Sequence, residues 1–261
     1  MGEEKPVIEL LGVEKSFGSQ KVLRGIDLQV AAGTTTVIVG ASGQGKSVIL
    51  KHMLGLVRPD RGQVMVLGHD LARVSGRELK RIRTSFGVLF QNSALFDSLT
   101  VFENVALPLR ERTRATQAEV RDKVMEKLTF MDLQGAEKKY PAQISGGMQK
   151  RVGLARALVM NPKVVFFDEP TTGLDVKKSN EIYRLFHKTQ AQFHYTAVIV
   201  SHDVPKIFKL ADQVALLADG VIHGCMTPVE FQLSPKPLIK AFVEETMGPI
   251  YSSEGEEATI E

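Results

Sequence analysis

The segment from residue 34 to residue 56 most constrains how this chain can fold. A β-rich run, TTTVIVG, leads into a glycine-rich turn, and SVILKHMLGL after it has the composition of a buried helix. The turn satisfies the pattern GxxxxGK[ST] in full and consists of Gly40, Ala41, Ser42, Gly43, Gln44, Gly45, Lys46 and Ser47. Strand, glycine-rich turn and helix in this order predict an α/β fold with a parallel sheet.

The residue types in this turn suit a bound phosphate group. Glycines let the backbone curl so that successive N–H groups point inward, and the following helix adds its positive N-terminal end. In this motif Lys46 bridges β- and γ-phosphate oxygens, and the Ser47 hydroxyl holds Mg²⁺. We therefore predict a nucleotide site over residues 40–47, with Val48 as its last member.

A second stretch, VVFFDEP, supplies the carboxylates that such a site needs. Four apolar residues, which predict a buried strand, come directly before Asp168 and Glu169. Asp168 is predicted to bind Mg²⁺ through water, and Glu169 is predicted to polarise the attacking water. Because no segment matches NKxD, the guanine-reading pattern, ATP is favoured over GTP.

Composition and charge restrict the classes of partner. The 261 residues carry a net charge of only +3, and RELKRIR (77–83) is interpreted as a solvated helix face, so nucleic acid is not an expected partner. The single cysteine, Cys225, excludes an intrachain disulfide and fits a reducing compartment. Since no run of about 18 apolar residues and no signal-peptide pattern occurs, any membrane role is expected to come through a partner.

The pattern of apolar residues divides the chain into β-rich and helical parts. Short β-rich runs fill the first third of the chain and return near its end, where VIHGC (221–225) is predicted to pair antiparallel with QVALLA (213–218). Residues from about 92 to 160 are helical in pattern and form an insertion. We expect one domain over residues 1–245 and an acidic, weakly ordered tail over 246–261.

Taken together, these motifs resemble the nucleotide-binding subunits of ABC transporters. In that family's order the chain has GASGQGKS, a glutamine after a strand (Gln91), ISGGM, VVFFDEP, TTGLD and VIVSHD. The resemblance implies a P-loop NTPase fold of the α/β class, with a RecA-like core, an N-terminal antiparallel β subdomain and an inserted α-helical subdomain.

The resemblance also implies an ATPase that uses ATP and Mg²⁺, and it assigns roles to three further residues. Gln91 is expected to contact Mg²⁺ or the attacking water, and His202 is expected to contact the γ-phosphate. Phe17 matches the aromatic residue that stacks on adenine, where the family more often has tyrosine. An ordinary core position is the alternative for Phe17.

A second glycine-containing helix start, SGGMQKR (145–151), has an explanation in the same family. Two subunits there pack head to tail, and the Ser-Gly-Gly turn of one caps the γ-phosphate that the lysine loop of the other holds. Here that role falls on Ser145, Gly146 and Gly147, while Asp175 of TTGLD is expected at the dimer seam. The resemblance therefore implies a second copy of this chain as partner, in an isologous dimer.

Two departures from the common family pattern indicate a particular branch. Met148 replaces the glutamine of the usual LSGGQ motif, and ALFDSLTVFENVALPLRE (94–111) lies just after Gln91. Together they resemble the ATPases of Mce-type lipid transport systems, including the Mla phospholipid system. This resemblance implies a peripheral location on the cytoplasmic face of the inner membrane, held there by an integral membrane permease. It further implies an Mce-domain periplasmic protein and, in the Mla branch, a STAS-domain protein as partners.

Other readings of the same motifs stay open. The ATPase could serve an amino-acid or ion importer, or it could be a non-transport ABC ATPase of DNA repair or the ribosome. A catalytically dead cassette is a further alternative, although Lys46, Asp168, Glu169 and His202 are intact.

An apolar group after Gln91 is expected to serve two purposes. Some of its members should form the core of the insertion, and others should line a groove that receives a short helix of the membrane partner. The group consists of Ala94, Leu95, Phe96, Val101 and Phe102.

Overall fold

The computed structural model describes residues 6–248, which fold into two β-sheets with helices packed around them. The strands are β1 Ile8–Phe17, β2 Gln20–Val30, β3 Thr35–Val39, β4 Arg61–Val66, β5 His69–Asp70, β6 Phe86–Leu89, β7 Val164–Asp168, β8 Thr196–Val200, β9 Gln213–Ala218 and β10 Val221–Met226. The α-helices are α1 Lys46–Met53, α2 Gly76–Ile82, α3 Val101–Arg112, α4 Gln117–Phe130, α5 Gly146–Leu158, α6 Val176–Phe193, α7 Pro228–Gln232 and α8 Pro237–Met247.

The larger sheet has the strand order β10-β9-β3-β8-β7-β6. Its strands from β9 to β6 are parallel, and β10 pairs antiparallel with β9, as the sequence predicted. The smaller sheet, β2-β1-β4-β5, is antiparallel and lies in the N-terminal part of the chain. A hydrogen bond of 2.8 Å from the Arg24 N–H to the Gly220 carbonyl joins β2 to the turn between β9 and β10. The predicted fold class is confirmed.

Alternate residues of the parallel strands pack into two different cores. In β3, Ile38 packs with the antiparallel sheet and α1, whereas Val37 and Val39 pack with the helices from α3 to α6. β7 divides in the same way, because Phe166 belongs to the first core and Phe167 to the second. Both faces of these strands are therefore covered, which explains why they are continuous apolar runs in the sequence.

The predicted helical insertion is formed by α3, α4 and α5. Thr100 and Thr116 begin the first two helices, and in each case the glutamate three residues on, Glu103 or Glu119, hydrogen-bonds back to the cap backbone. The residue types of these two capping boxes therefore determine where both helices begin. Among the residues described, no helix is long and apolar enough to cross a membrane.

The C-terminal boundary differs slightly from the expected one. Helix α8 continues to Met247, past the boundary expected at residue 245. The acidic segment YSSEGEEATIE (251–261), which was predicted to be weakly ordered, lies outside the described residues.

Three segments that are far apart in the sequence meet at one edge of the larger sheet. Because β3, β8 and β7 are adjacent and parallel, their carboxyl ends lie together. The glycine-rich loop follows β3, Asp168 ends β7 with Glu169 directly after it, and His202 comes just after β8. Open α/β sheets bind their ligands at this edge.

Candidate active site

The turn between β3 and α1 is shaped by its glycines. A Cβ on Gly40 would lie 2.2 Å from a backbone carbonyl oxygen of β9, so no side chain fits at this position. Gly45, directly before α1, has a φ of 101°, which glycine adopts readily. Gln44 fixes the loop to the β9–β10 turn, since its Oε1 accepts a hydrogen bond of 2.9 Å from the Asp219 N–H. The tip of the loop, residues 41–43, is exposed.

Lys46 is buried although it carries a charge. Its Nζ donates to the carbonyl oxygens of Gly40 at 2.8 Å and Ala41 at 3.0 Å, and it lies 3.8 Å from Glu169 Oε1. Burial lowers the pKa of this amine, and the Glu169 carboxylate opposes that shift. A buried cation at a helix N-terminus fits a polyphosphate, which brings more negative charge than one carboxylate at 3.8 Å.

Ser47 and Asp168 form the pair expected to hold magnesium. Both are partly buried, and the Ser47 hydroxyl donates to Asp168 Oδ1 at 3.0 Å. A hydroxyl and a carboxylate are oxygen ligands, which are the ligands that Mg²⁺ prefers. The donor set therefore fits the predicted ion, and these two side chains would hold it.

Glu169 lies between Lys46 and His202. Its Oε1 faces the lysine, while its Oε2 is 2.6 Å from His202 Nδ1 and also accepts the His202 backbone N–H at 3.3 Å. The Glu169 side chain is 15% exposed and that of His202 is 61% exposed. Glu169 has a φ of 48°, which is uncommon for a residue other than glycine. A shielded carboxylate held between a buried amine and an exposed imidazole suits a general base.

Gln91 lies two residues beyond the end of β6, and its side chain is exposed. Its backbone carbonyl accepts a hydrogen bond from Nζ of Lys150, a buried residue of α5. This bond connects the segment at Gln91 to the helix that begins with the Ser-Gly-Gly turn. No sequence motif pointed to Lys150, because a lysine beside an arginine in SGGMQKR gives no sign of burial.

The Ser-Gly-Gly turn lies at the exposed start of α5. Ser145 is the N-cap, and its hydroxyl accepts the Met148 N–H at 3.3 Å. Ser145 and Gly146 are exposed, and Gly147 is partly buried. Met148 itself packs against the core beneath the helix, so the residue that departs from the common motif faces inward.

Asp175 begins α6, where its carboxylate accepts the Lys178 N–H at 2.9 Å and lies 2.8 Å from Lys178 Nζ. The hydrogen bonds from Lys178 lower the pKa of this exposed carboxyl group. Phe17, at the end of β1, has 49% of its surface exposed, so it does not occupy the core position that was its alternative. Val48 is partly buried in the first turn of α1.

Apart from Gln91 and Val48, these placements divide the predicted site residues into two groups. The structure brings together the glycine-rich loop, Lys46, Ser47, Asp168, Glu169 and His202 at the edge of the larger sheet. Within residues 6–248, no hydrogen bond joins the Ser145 turn, Asp175 or Phe17 to that group. In the second group Ser145, Gly146, Asp175 and Phe17 are exposed, which suits contact with a ligand or with another chain.

An apolar groove of about 520 Å³ lies between β6, α3 and α5. Of the five apolar residues expected to serve either the core or a groove, Ala94 and Phe96 line it. Leu95 and Phe102 instead pack against the core, and Val101 is fully buried. The rest of the lining includes Leu56, Phe90, Pro108, Met160 and the side chains of Arg83, Arg112 and Arg156.

A family model described as "ABC transporter" matches residues 23–172. The chain belongs to the ABC transporter family. The matched range contains the glycine-rich loop, Gln91, the Ser145 turn, Asp168 and Glu169. The resemblance inferred from the motifs is confirmed, and the chain is an ATP-hydrolysing motor subunit of an ABC transporter.

This ABC ATPase is similar to two curated relatives and to one solved structure. It is 43% identical to the probable ribonucleotide transport ATP-binding protein mkl of Mycobacterium leprae (strain TN), over 97% of this chain and 74% of the relative. It is 34% identical to the intermembrane phospholipid transport system ATP-binding protein MlaF of Escherichia coli (strain K12), over 91% and 88%. The dimeric post-hydrolysis state of the ATP-binding cassette MJ0796, bound to ADP and Pi, superposes with a TM-score of 0.76 at 31% identity, over 85% of this chain and 98% of that one.

Proposed function

We propose that this ABC ATPase powers the movement of phospholipid or another lipid across the cell envelope, in an Mce/Mla-type system. The observation that carries the proposal is the 34% identity, over 91% of the chain, to a protein named for intermembrane phospholipid transport. The Ser-Gly-Gly-Met turn and the segment 94–111 support the same branch.

Ribonucleotide transport is the second candidate function. It is favoured by the 43% identity to mkl, whose name describes that cargo. Because the cargo of a transporter need not touch its ATPase subunit, the geometry of the phosphate site is compatible with either. The partner proteins and the cargo of the complex that contains this chain distinguish the two functions.

The deciding experiment begins with a tagged full-length chain, purified from detergent extracts of membranes with its bound proteins. We expect a permease and an Mce-domain protein to copurify, with a STAS-domain protein as a further component. After reconstitution, fluorescent phospholipid should exchange between labelled and unlabelled membranes only when ATP is hydrolysed, and the Glu169→Gln complex should show no ATP-dependent exchange. ATP-driven uptake of ribonucleotides, with no lipid exchange, would overturn the lipid proposal.

The charges around the site support the proposed catalytic roles. Lys46 binds the terminal phosphates, Glu169 accepts the proton of the attacking water, and His202 orients both the carboxylate and the γ-phosphate. Ser47, Asp168 and the Gln91 side chain would hold the magnesium ion. That ion would supply positive charge that neutralises the phosphates. The 2.6 Å contact between His202 Nδ1 and Glu169 Oε2 is the main support for pairing these two residues.

Changing Glu169 to glutamine tests the assignment of the base. The amide keeps the size of the side chain but cannot take a proton, so ATP turnover should fall by about 100- to 10,000-fold. ATP should still bind, and the chain should accumulate as an ATP-bound dimer in size-exclusion chromatography with light scattering. Glu244→Gln, an exposed glutamate of α8, is the matched control and should keep the parental rate. Parental turnover in Glu169→Gln would show that the base is elsewhere.

A second copy of the chain completes the site in this proposal. The exposed Ser145 and Gly146 at the start of α5 present backbone N–H groups and a hydroxyl to the γ-phosphate of the partner, and Asp175 lies at the seam. The cassette MJ0796, similar over 85% of this chain, is dimeric with ADP and Pi bound. In the proposed assembly ATP joins the two subunits, and its hydrolysis releases them.

The apolar groove beside α3 is the proposed docking site for the permease. Its exposed Leu56, Phe90 and Phe96 offer apolar surface to a short helix, and Arg83, Arg112 and Arg156 supply positive charge around it. Such docking would hold the chain at the cytoplasmic face of the inner membrane. Because the net charge of the chain is only +3, nucleic acid is not proposed as a partner.

A further inference from the structure

A buried hydroxyl cluster joins two loops of the candidate active site. Tyr183, a buried residue of α6, donates its hydroxyl hydrogen to Asp203 Oδ2 at 2.7 Å. The same phenol oxygen is 2.9 Å from the hydroxyl of Thr171, which lies 3.3 Å from that carboxylate oxygen. Two hydroxyl hydrogens serve three contacts, and the 3.3 Å contact is the longest, so the strongest chain of hydrogen bonds runs from Thr171 through Tyr183 to Asp203.

The two ends of this chain belong to the loops that carry the proposed catalytic pair. Thr171 lies two residues after Glu169, in the loop that leads to α6. Asp203 directly follows His202, and its N–H donates to the Ser201 hydroxyl at 3.0 Å. Tyr183 is therefore a single side chain that contacts both the loop after β7 and the loop after β8.

We propose that Tyr183 is a positioning residue of the ATPase, whose hydroxyl holds the two loops in the register that places Glu169 against His202. The inference rests on the proposed roles of that pair. Tyr183 acts on them through its contacts with Thr171 and Asp203. Burial raises the pKa of the phenol, so at neutral pH the hydroxyl keeps its hydrogen and donates to the carboxylate.

Tyr183→Phe removes the hydroxyl and keeps the buried ring, and Tyr195→Phe is its matched control. Tyr195 is also buried, and within residues 6–248 the hydrogen-bond partners of its hydroxyl lie on α6, with Thr189 Oγ1 at 2.8 Å and the Phe186 carbonyl at 3.4 Å. Because small displacements of a catalytic group are costly, Tyr183→Phe should lower kcat for ATP hydrolysis by about 10- to 100-fold. The KM and Kd for ATP should stay within about two-fold of the parent, because the glycine-rich loop is untouched. Tyr195→Phe should keep the parental kcat.

Thr171→Val is the second variant, and it removes the other hydroxyl of the cluster. It should lower kcat in the same direction without changing KM, and it keeps the test decisive should Tyr183→Phe fail to fold. All variants are measured on the full-length chain with its copurified partners, and urea unfolding verifies that they fold. Equal losses of kcat in Tyr183→Phe and Tyr195→Phe would overturn the inference, since any buried hydroxyl would then have the same effect.

The failure of this inference can be distinguished from the failure of the proposed site. Parental turnover in Glu169→Gln refutes the assignment of the base, and the positioning role falls with it. Parental kcat in Tyr183→Phe and Thr171→Val, beside an inactive Glu169→Gln, refutes the positioning role alone.

Discussion

Replacing Phe17 by alanine tests whether adenine stacks on this ring. The ring lies at the end of β1 with 49% of the residue exposed, and Lys15 Nζ is 5.6 Å from its centroid. Since about half of the side chain already contacts water, the free energy of unfolding should fall by only about 1 kcal/mol, roughly half of the value for a fully buried phenylalanine. Loss of a base–aromatic stack is worth about 1–3 kcal/mol, which corresponds to a rise of about 5- to 150-fold in the Kd for ATP.

Calorimetric titration of the full-length chain with three ligands isolates the base from the phosphates. In Phe17→Ala, ATP and ADP should weaken together, whereas inorganic tripolyphosphate, which has no base, should bind with the parental Kd. Phe17→Tyr keeps the ring and should keep the affinity, and Leu11→Ala, an exposed apolar residue of the same strand, should leave it unchanged. A parental Kd for ATP in Phe17→Ala would refute the reasoning, and so would equal weakening of tripolyphosphate.

Phe96→Asp should abolish coupling to the permease while sparing basal ATPase, because Phe96 is 52% exposed in the groove. Leu95→Asp should instead lower the urea midpoint of unfolding, because Leu95 packs against the core. A lower midpoint in Phe96→Asp than in Leu95→Asp would contradict these placements. Burial lowers the pKa of Lys150 in the folded chain below its ordinary value of 10.5. Just below that pH the unfolded chain therefore binds more protons than the folded chain. As pH rises through this range, the free-energy cost of burying the charged amine disappears and the parent becomes more stable. The stability of Lys150→Met relative to the parent should therefore be greater at about pH 7 than at about pH 9.5 in urea unfolding, and a pH-independent difference would exclude this cause.

The sequence predicted best what is decided by local rules. The strands at the site are buried on both faces, so β7 is visible as VVFFD, and its end marks Asp168 and Glu169 without any knowledge of the sheet. Gly40 and Gly45 belong to a turn whose spacing alone identifies a phosphate loop. Local pattern was sufficient for these residues because the same backbone features that form the turn also bind the ligand.

What the sequence could not predict depends on tertiary contacts. The apolar pattern of β1 stops at Val13, but the strand continues to Phe17 because Glu14 and Lys15 pair with residues of β2. Leu95 and Phe96 are adjacent and equally apolar, yet one packs into the core and the other lines the groove. Periodicity assigns a residue to a face of its own element, whereas the neighbour that covers that face is determined by the packing of other elements.

The contacts of α5 explain how the groove and the Ser-Gly-Gly turn are connected. Lys150 donates to the Gln91 carbonyl, and Arg156 donates to the carbonyls of Ser93 at 2.5 Å and Ala94 at 2.7 Å. One helix therefore contacts the segment from Gln91 to Ala94 from two places that lie more than one turn apart. Ala94 lines the groove, and Ser145 caps the same helix. A partner in the proposed docking groove would therefore contact a segment that is hydrogen-bonded to the helix of Ser145, whereas the contacts of Tyr183 join the loops of Glu169 and His202.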